Sequence, residues 1–173
     1  MNSPIIQLLQ PSEIVNLSLF LEQLPTEVTQ WYQPHSFTVR DIQFFYNNTP
    51  GSIGFISIEP LTGKIIGYAA LLTGGNRYDI ARWQQYQYSF HPTTVASYAP
   101  VIAPAYQGIG LAKKMFDVII AHCNRHTTVR KLLLWGGVKA ENEKAIRFYE
   151  KIGFANKHSF EYQGLNYDFM YAW

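Results

Sequence analysis

Apolar positions along this chain change their period several times, and each change marks the edge of an element. Residues 4 to 9, PIIQLL, form a short apolar run of the kind a strand makes. From Ser12, a residue suited to an N-cap, Ile14, Leu17, Phe20 and Leu21 return at steps of three and four, which predicts a helix with one apolar face. A second helix is predicted over residues 38 to 47, with Val39, Ile42, Phe44 and Phe45 apolar. Residues 53 to 58 and 65 to 72 read as two strands joined by a turn from Pro60 to Lys64 that contains Gly63, a β-hairpin. A strand at 94 to 103, a helix from Leu111 to His122, a strand at 131 to 138 and a closing hairpin at 157 to 163 and 166 to 173, turning at Gly164, complete the pattern.

Residues 74 to 92 fit this pattern least. The segment is longer than a tight hairpin loop and mixes Trp83, Tyr86, Tyr88 and Phe90 with Arg77, Asp79 and Arg82. It reads either as a lid or as extensions of two long strands with alternate aromatic residues turned inward, and we lean to extension.

Candidate chemistry gathers in residues 101 to 116, VIAPAYQGIGLAKKMF, where a short apolar run passes through Gly108 and Gly110 into an amphipathic helix. Glycines allow backbone to approach a ligand, and the first N–H groups of a helix lack intrahelical partners. With the helix dipole they form a site for phosphate. No acidic residue lies between Pro104 and Phe116, and Lys113 and Lys114 occupy the first turns, so an anion is tolerated. A dinucleotide fingerprint would need glycine at Lys113, and a phosphate loop would need Gly-Lys-Ser/Thr after a longer gap. What is present is Q-x-x-G-x-A: Gln107, Gly108, Ile109, Gly110, Leu111 and Ala112. Taken alone this hexamer is equally a glycine turn that merely begins a helix.

A second stretch bears on the first. Over residues 139 to 154, KAENEKAIRFYEKIGF, Asn142 is placed to cap a helix that carries Ala145, Phe148, Tyr149 and Ile152, and Gly153 is placed to stop it, followed by Phe154. The hexamer resembles the pyrophosphate loop of the GNAT superfamily of N-acetyltransferases, and N-x-x-A-x-x-F-Y-x-K-x-G-F resembles its second acyl-CoA motif at the usual distance.

The resemblance implies an α/β (α+β) fold: a mixed, mostly antiparallel sheet of about seven strands, splayed at strands 4 and 5 and flanked by about four helices. It implies acetyl-CoA as co-substrate, held by the backbone of Val101, Ile102 and Ala103 and by Gln107, Gly108, Ile109, Gly110, Leu111, Ala112, Lys113, Asn142 and Tyr149. The family's usual acid is a tyrosine seven residues after the motif asparagine, here Tyr149, whose alternative role is packing. The same likeness puts an acceptor-site wall in the N-terminal helical pair, where Trp31, Tyr32, His35, Phe44 and Tyr46 either line that site or pack. A splayed strand leaves backbone groups unpaired, which a pantetheine arm would satisfy, and Gly136 and Gly137 favour the departure from regular pairing.

The chain departs from the family at the base. Many relatives carry a glutamate on the fourth or fifth strand, whereas TTVASYAPVI and LLLWGGV contain no acid, and Gly137 stands where some relatives have it. A water relayed by Tyr98, Ser97 or His91, or an acceptor already partly deprotonated, is left to take the proton.

Composition narrows the class. At 173 residues, with 47% hydrophobic and 15% charged, the chain is expected to be a single globular domain, residues 1 to 173. A net charge of +2 gives no pull toward nucleic acid or membrane, and the 12 Tyr point to an aromatic cleft or simply to a Tyr-rich core. Cys123 is the sole cysteine, so no intrachain disulfide forms, and with no signal-like or spanning segment a cytoplasmic protein is expected, with a homodimer left open. His122 and His126 flank Cys123, but two ligands are too few, and no metal is expected.

The expected activity is acetyl transfer from acetyl-CoA to a small amine or amino-acid derivative. The alternatives are a non-catalytic acyl-CoA binder or sensor, and a peptide N-terminal acetyltransferase.

Overall fold

The computed structural model describes residues 3–32 and 34–173. In chain order the elements are β1 (Ile5–Leu8), a 3-10 turn at Pro11–Glu13, α1 (Ile14–Glu22), α2 (Thr26–Thr29), α3 (Val39–Asn48), β2 (Ser52–Ile58) and β3 (Ile65–Thr73). Then come α4 (Arg77–Gln85), β4 (Val95–Ile102), a 3-10 turn at Pro104–Tyr106, α5 (Leu111–His126), β5 (Lys131–Leu134), β6 (Val138–Lys139), α6 (Glu143–Lys151), β7 (Ala155–Glu161) and β8 (Leu165–Ala172). The strands are hydrogen-bonded in the order β1-β2-β3-β4-β5-β8-β6, with β7 on β8. β4 and β5 run parallel, while β1 with β2 and β8 with each of β5, β6 and β7 run antiparallel. This is the mixed, mostly antiparallel sheet expected, with eight strands where about seven were read. The strand expected at 131 to 138 is cut in two by Gly136 and Gly137, both at positive φ (+71° and +72°). Gly137 N–H turns back to Leu134 O at 3.1 Å.

The chain forms two compact units, Met1–Leu71 with Ala99–His122, and Leu72–Tyr98 with Cys123–Trp173. In the first, α1 buries Ile14, Leu17, Phe20 and Leu21 as its period predicts. Ser12 does not cap it. The residue lies inside the 3-10 turn, and the helix begins after Glu13 with no side-chain cap. α3 begins one residue later than expected, because Thr38 caps it instead of joining it, accepting from Asp41 N–H at 3.2 Å. Its inward side is Val39, Ile42, Phe45 and Tyr46, spaced by one helical turn, so Phe44 falls opposite and is 66% exposed.

In the second unit, residues 74 to 92 are not extended strands but the helix α4 and the loop after it. Asn76 caps it, accepting from Tyr78 N–H at 2.9 Å, and Trp83 is wholly buried against Val95 and Leu133 with Ile80, Tyr88, Phe90 and Met170 around it. Of the aromatic residues read as strand alternation, Trp83 lies within the helix and the other three follow it: Tyr88 and Phe90 meet Trp83 edge-on, and Tyr86 stacks on His158 at 3.9 Å. Helix wins because a cap and an inward face of Asp79, Ile80 and Trp83 coincide at helical spacing. Among the described residues no helix is long and apolar enough to cross a membrane.

Candidate active site

The glycine turn lies in the first unit, between β4 and α5. Gly108 and Gly110 have φ of +80° and +84°, and a Cβ on either would meet nothing within 4 Å. Their backbone therefore faces open space in a conformation that side chains resist. Lys114 N–H reaches Gly110 O at 3.1 Å, which puts the amides of Leu111, Ala112 and Lys113 in the helix's first turn. Gln107 ties the turn to the strand end, its Nε2 donating to Ile102 O at 3.0 Å. Ala103 N–H is engaged by Ile66 O at 2.9 Å. Because backbone groups alternate between the two edges of a strand, those of Pro100 and Ile102 address the edge away from β3. Ile109 is exposed, and Lys113 pairs with Asp117 one turn on, both exposed. An exposed pair of this kind holds loosely, so the lysine can turn toward an anion.

In the same unit a polar chain runs through aromatic residues. His35 Nδ1 lies 2.8 Å from Ser36 O, and a carbonyl can only accept, so that nitrogen carries the proton. In the neutral ring Nε2 then accepts from Tyr68 O–H at 2.7 Å, and Tyr46 O–H donates to Tyr68 at 2.5 Å. Burial holds His35 below its ordinary value against the pull of Ser36 and Asp41, and burial pushes Tyr46 and Tyr68 up. Tyr32 is buried, its hydroxyl donating to Ala99 O at 3.1 Å, whereas Trp31 is exposed. Of the expected acceptor-site wall, Tyr32, His35 and Tyr46 thus come together, while Phe44 and Trp31 point to solvent.

The second unit holds the other motif. Asn142 caps α6, Oδ1 accepting from Ala145 N–H at 3.2 Å, and Gly153 at φ +100° ends it as Phe154 N–H closes on Tyr149 O at 2.9 Å. Tyr149 is half-buried and edge-on to Phe154 at 5.4 Å, while Tyr98 stacks on Phe154 at 6.2 Å. Burial pushes both phenols up, so each stays protonated at neutral pH and is a donor.

One acid here was not foreseen. Asp79, from α4, is 1% exposed and accepts from Gly136 N–H, from Ser97 Oγ and from the Arg82 guanidinium. Ser97 is buried and fully engaged, donating to Asp79 and accepting from Asn76 N–H at 2.9 Å. The sequence did carry a signal for the helix, Asn76 followed three residues later by Asp79, but nothing local tells that Asp79 turns inward. His91 is bound to Thr93 at the surface. Among the described residues no group of three or more His, Cys, Asp or Glu is placed to hold a metal ion.

The family model described as Acetyltransferase (GNAT) family matches residues 18–154. Uncharacterized N-acetyltransferases of Mycobacterium bovis and Mycobacterium tuberculosis are 30% identical over 92 residues, 53% of this chain and 47% of theirs. The chain spans about half the length of the curated relatives it matches. Among solved structures, the GNAT domain of S. lividans PAT superposes with a TM-score of 0.74 at 18% identity, covering 98% of this chain and 90% of that one. Ribosomal-protein-S5-alanine acetyltransferase from Vibrio fischeri gives 0.72 at 15% identity, covering 99% and 94%. Aminoglycoside acetyltransferase AAC(6')-Ib in complex with coenzyme A and kanamycin gives 0.69 at 20% identity, covering 98% and 95%. At these identities the likeness is one of fold.

Proposed function

We propose, on the premise that this chain belongs to the acetyltransferase (GNAT) family, that it moves an acetyl group from acetyl-CoA to a small primary amine or amino-acid derivative by direct attack in a ternary complex. The observation that carries this reading is the pair of left-handed glycines ahead of α5, whose open Cβ positions leave a backbone cradle that fits a diphosphate. Bound acetyl-CoA supplies an activated acyl carbonyl and a thiol leaving group.

The amides from Gly108 to Lys113 hold the diphosphate, with Ile109 and Lys113 free to close on it. Of Val101, Ile102 and Ala103, Ile102 offers its N–H, which faces away from β3, to the pantetheine arm, since Ile102 O is engaged by Gln107 and Ala103 N–H by Ile66 O. Asn142 fixes the start of α6, and so sets where Tyr149 stands. Tyr149, kept protonated by burial, donates its phenolic proton to the departing sulfur as the C–S bond breaks, and the proton shed by the attacking nitrogen passes to water, from which the phenol is restored. Holding an amine and a thioester in line contributes on the order of 7 kcal/mol in favourable cases, and a positioned acid adds about 100-fold or more.

A small acceptor suits the chemistry better than an aminoglycoside, which carries several ammonium groups and asks for several carboxylates. The two acids buried in the second unit, Asp79 and Asp168, are already bound to Arg82. The lack of an acid on β4 and β5 favours one other reading, an acyl-CoA binder without turnover.

The two readings separate in one assay, thiol release from acetyl-CoA over a panel of primary amines. Turnover that falls about 100-fold in Tyr149→Phe, with CoA affinity kept within about threefold, supports the enzyme. CoA binding without turnover on any amine supports the binder.

A further inference from the structure

The ladder between β4 and β5 is short. Pairing runs from Val95↔Lys131 to Tyr98↔Leu134, and its last rung is Trp135 N–H to Tyr98 O at 3.0 Å. β4 itself goes on to Ile102. A parallel ladder kept in register would next use the N–H of residue 100, but that residue is Pro100 and has none; the rung after it would use the N–H of Gly137, which has folded back on Leu134 O.

Two glycines make this departure, and they are held in different ways. Gly137 is fixed by packing, since a Cβ there would lie 2.7 Å from the Phe160 ring and 2.9 Å from Tyr167 O. Gly136 is exposed, and a Cβ there would meet nothing within 4 Å. What restrains Gly136 is its amide, which donates to both carboxylate oxygens of Asp79, each at 3.1 Å. A bond to an ionised carboxylate is stronger than one between neutral groups.

Asp79 is not needed to neutralise its neighbour. Arg82 already makes a two-pronged bond to Asp168 of β8, at 2.7 and 2.8 Å, and lies 3.9 Å over the Phe160 ring. The cluster thus buries two carboxylates around one guanidinium. A second buried acid is costly unless its oxygens are used. They are used on the end of β5, through Gly136, and on β4, through Ser97. Burial pushes the Asp79 carboxyl up, opposed by Arg82 and the Gly136 amide, so the charged form depends on those partners.

We infer that Asp79 is a positioning residue for acyl-CoA: reaching from α4, it pins the Gly136 amide and, together with Pro100 and the packed Gly137, keeps the β4–β5 ladder from running on past Tyr98. The inference rests on the acetyl-CoA reading above and adds to it the means by which the strand end is held.

The test compares wild type, Asp79→Ala and Asp79→Asn. CoA affinity is measured by calorimetry, exchange of the Gly136 amide by NMR, and KM for acetyl-CoA and for the amine separately, all below the melting temperature of each variant. Asp79→Asn keeps the size and one acceptor oxygen, and it decides the matter if the alanine variant does not fold. Expected are a loss of CoA affinity of about 10-fold in alanine and about 3-fold in asparagine, faster exchange at Gly136 in the same order, and KM rising for acetyl-CoA while the amine's KM stays within about twofold. Folded variants that bind CoA as wild type does, or a loss shared equally by both substrates, overturn the pin and leave the acetyl-transfer reading standing. Wild type that fails to bind CoA overturns that reading, and the pin with it.

Discussion

Gly110 shows at the scale of one residue how backbone freedom and ligand access are the same property. At φ +84° an alanine is strained by about 1–2 kcal/mol, yet its methyl would touch no protein atom within 4 Å. Gly110→Ala is therefore expected to lower urea-unfolding stability by about 1 kcal/mol while weakening CoA by clearly more than 10-fold, because the methyl stands in the ligand's approach. A variant that loses stability and binds CoA normally would show that the turn serves only the fold. Asn142 is the complementary case, a side chain whose first duty is local. Its removal in Asn142→Ala is expected to cost about 1 kcal/mol, read in the same urea titration, since Ala145 N–H loses its acceptor.

Among the elements, the break between β5 and β6 separates glycines that look alike in the sequence. Gly136→Ala meets only left-handed strain and should cost about 1 kcal/mol. Gly137→Ala adds contacts below 3 Å with the Phe160 ring and with the Tyr167 carbonyl, and backbone cannot give way as a flexible side chain can. A loss of about 2–4 kcal/mol is expected there, and denaturant midpoints for the pair check the order. The helix α4 carries the larger lesson at this scale. Its cap and its inward residues were both in the sequence, but a run of alternating aromatic residues just beyond pointed to strands instead, and those residues pack onto Trp83 and His158 from a loop.

For the molecule as a whole, burial of phenols sets the response to alkali. Tyr46, Tyr68, Tyr98 and Tyr149 all have their ionisation pushed above the ordinary 10.0 by burial. Above pH 10 the unfolded chain gives up these protons first, so it binds fewer than the native state and stability falls as pH rises. Each such phenol contributes a slope of about 1.4 kcal/mol per pH unit, and the stability they share is intact below pH 10. His35 works on the acid side. Held below its ordinary 6.5, it is protonated in the unfolded chain before the native one, so stability present above pH 6.5 declines as pH drops below that value. Melting temperatures from pH 5 to 11 check both limbs, and His35→Gln should flatten the part of the acid limb near pH 6 while leaving the alkaline limb in place.

Much of this protein was legible from neighbours in the chain. The spans of β1 to β4, the Asn142 cap, the stop at Gly153, the turn at Gly164 and the glycine turn before α5 all follow from periodicity, capping and positive φ, which act over a few residues. The tertiary structure alone decided that Asp79 meets Gly136, 57 positions on, that Arg82 meets Asp168, 86 positions on, and that His35 meets Tyr68, 33 positions on. It also turned Phe44 outward and tied Ser97 to Asp79 and to the Asn76 amide. Local preference fixes how a segment coils, but a buried polar group takes whichever partner the fold brings within about 3 Å, and that choice leaves no mark on the residues beside it.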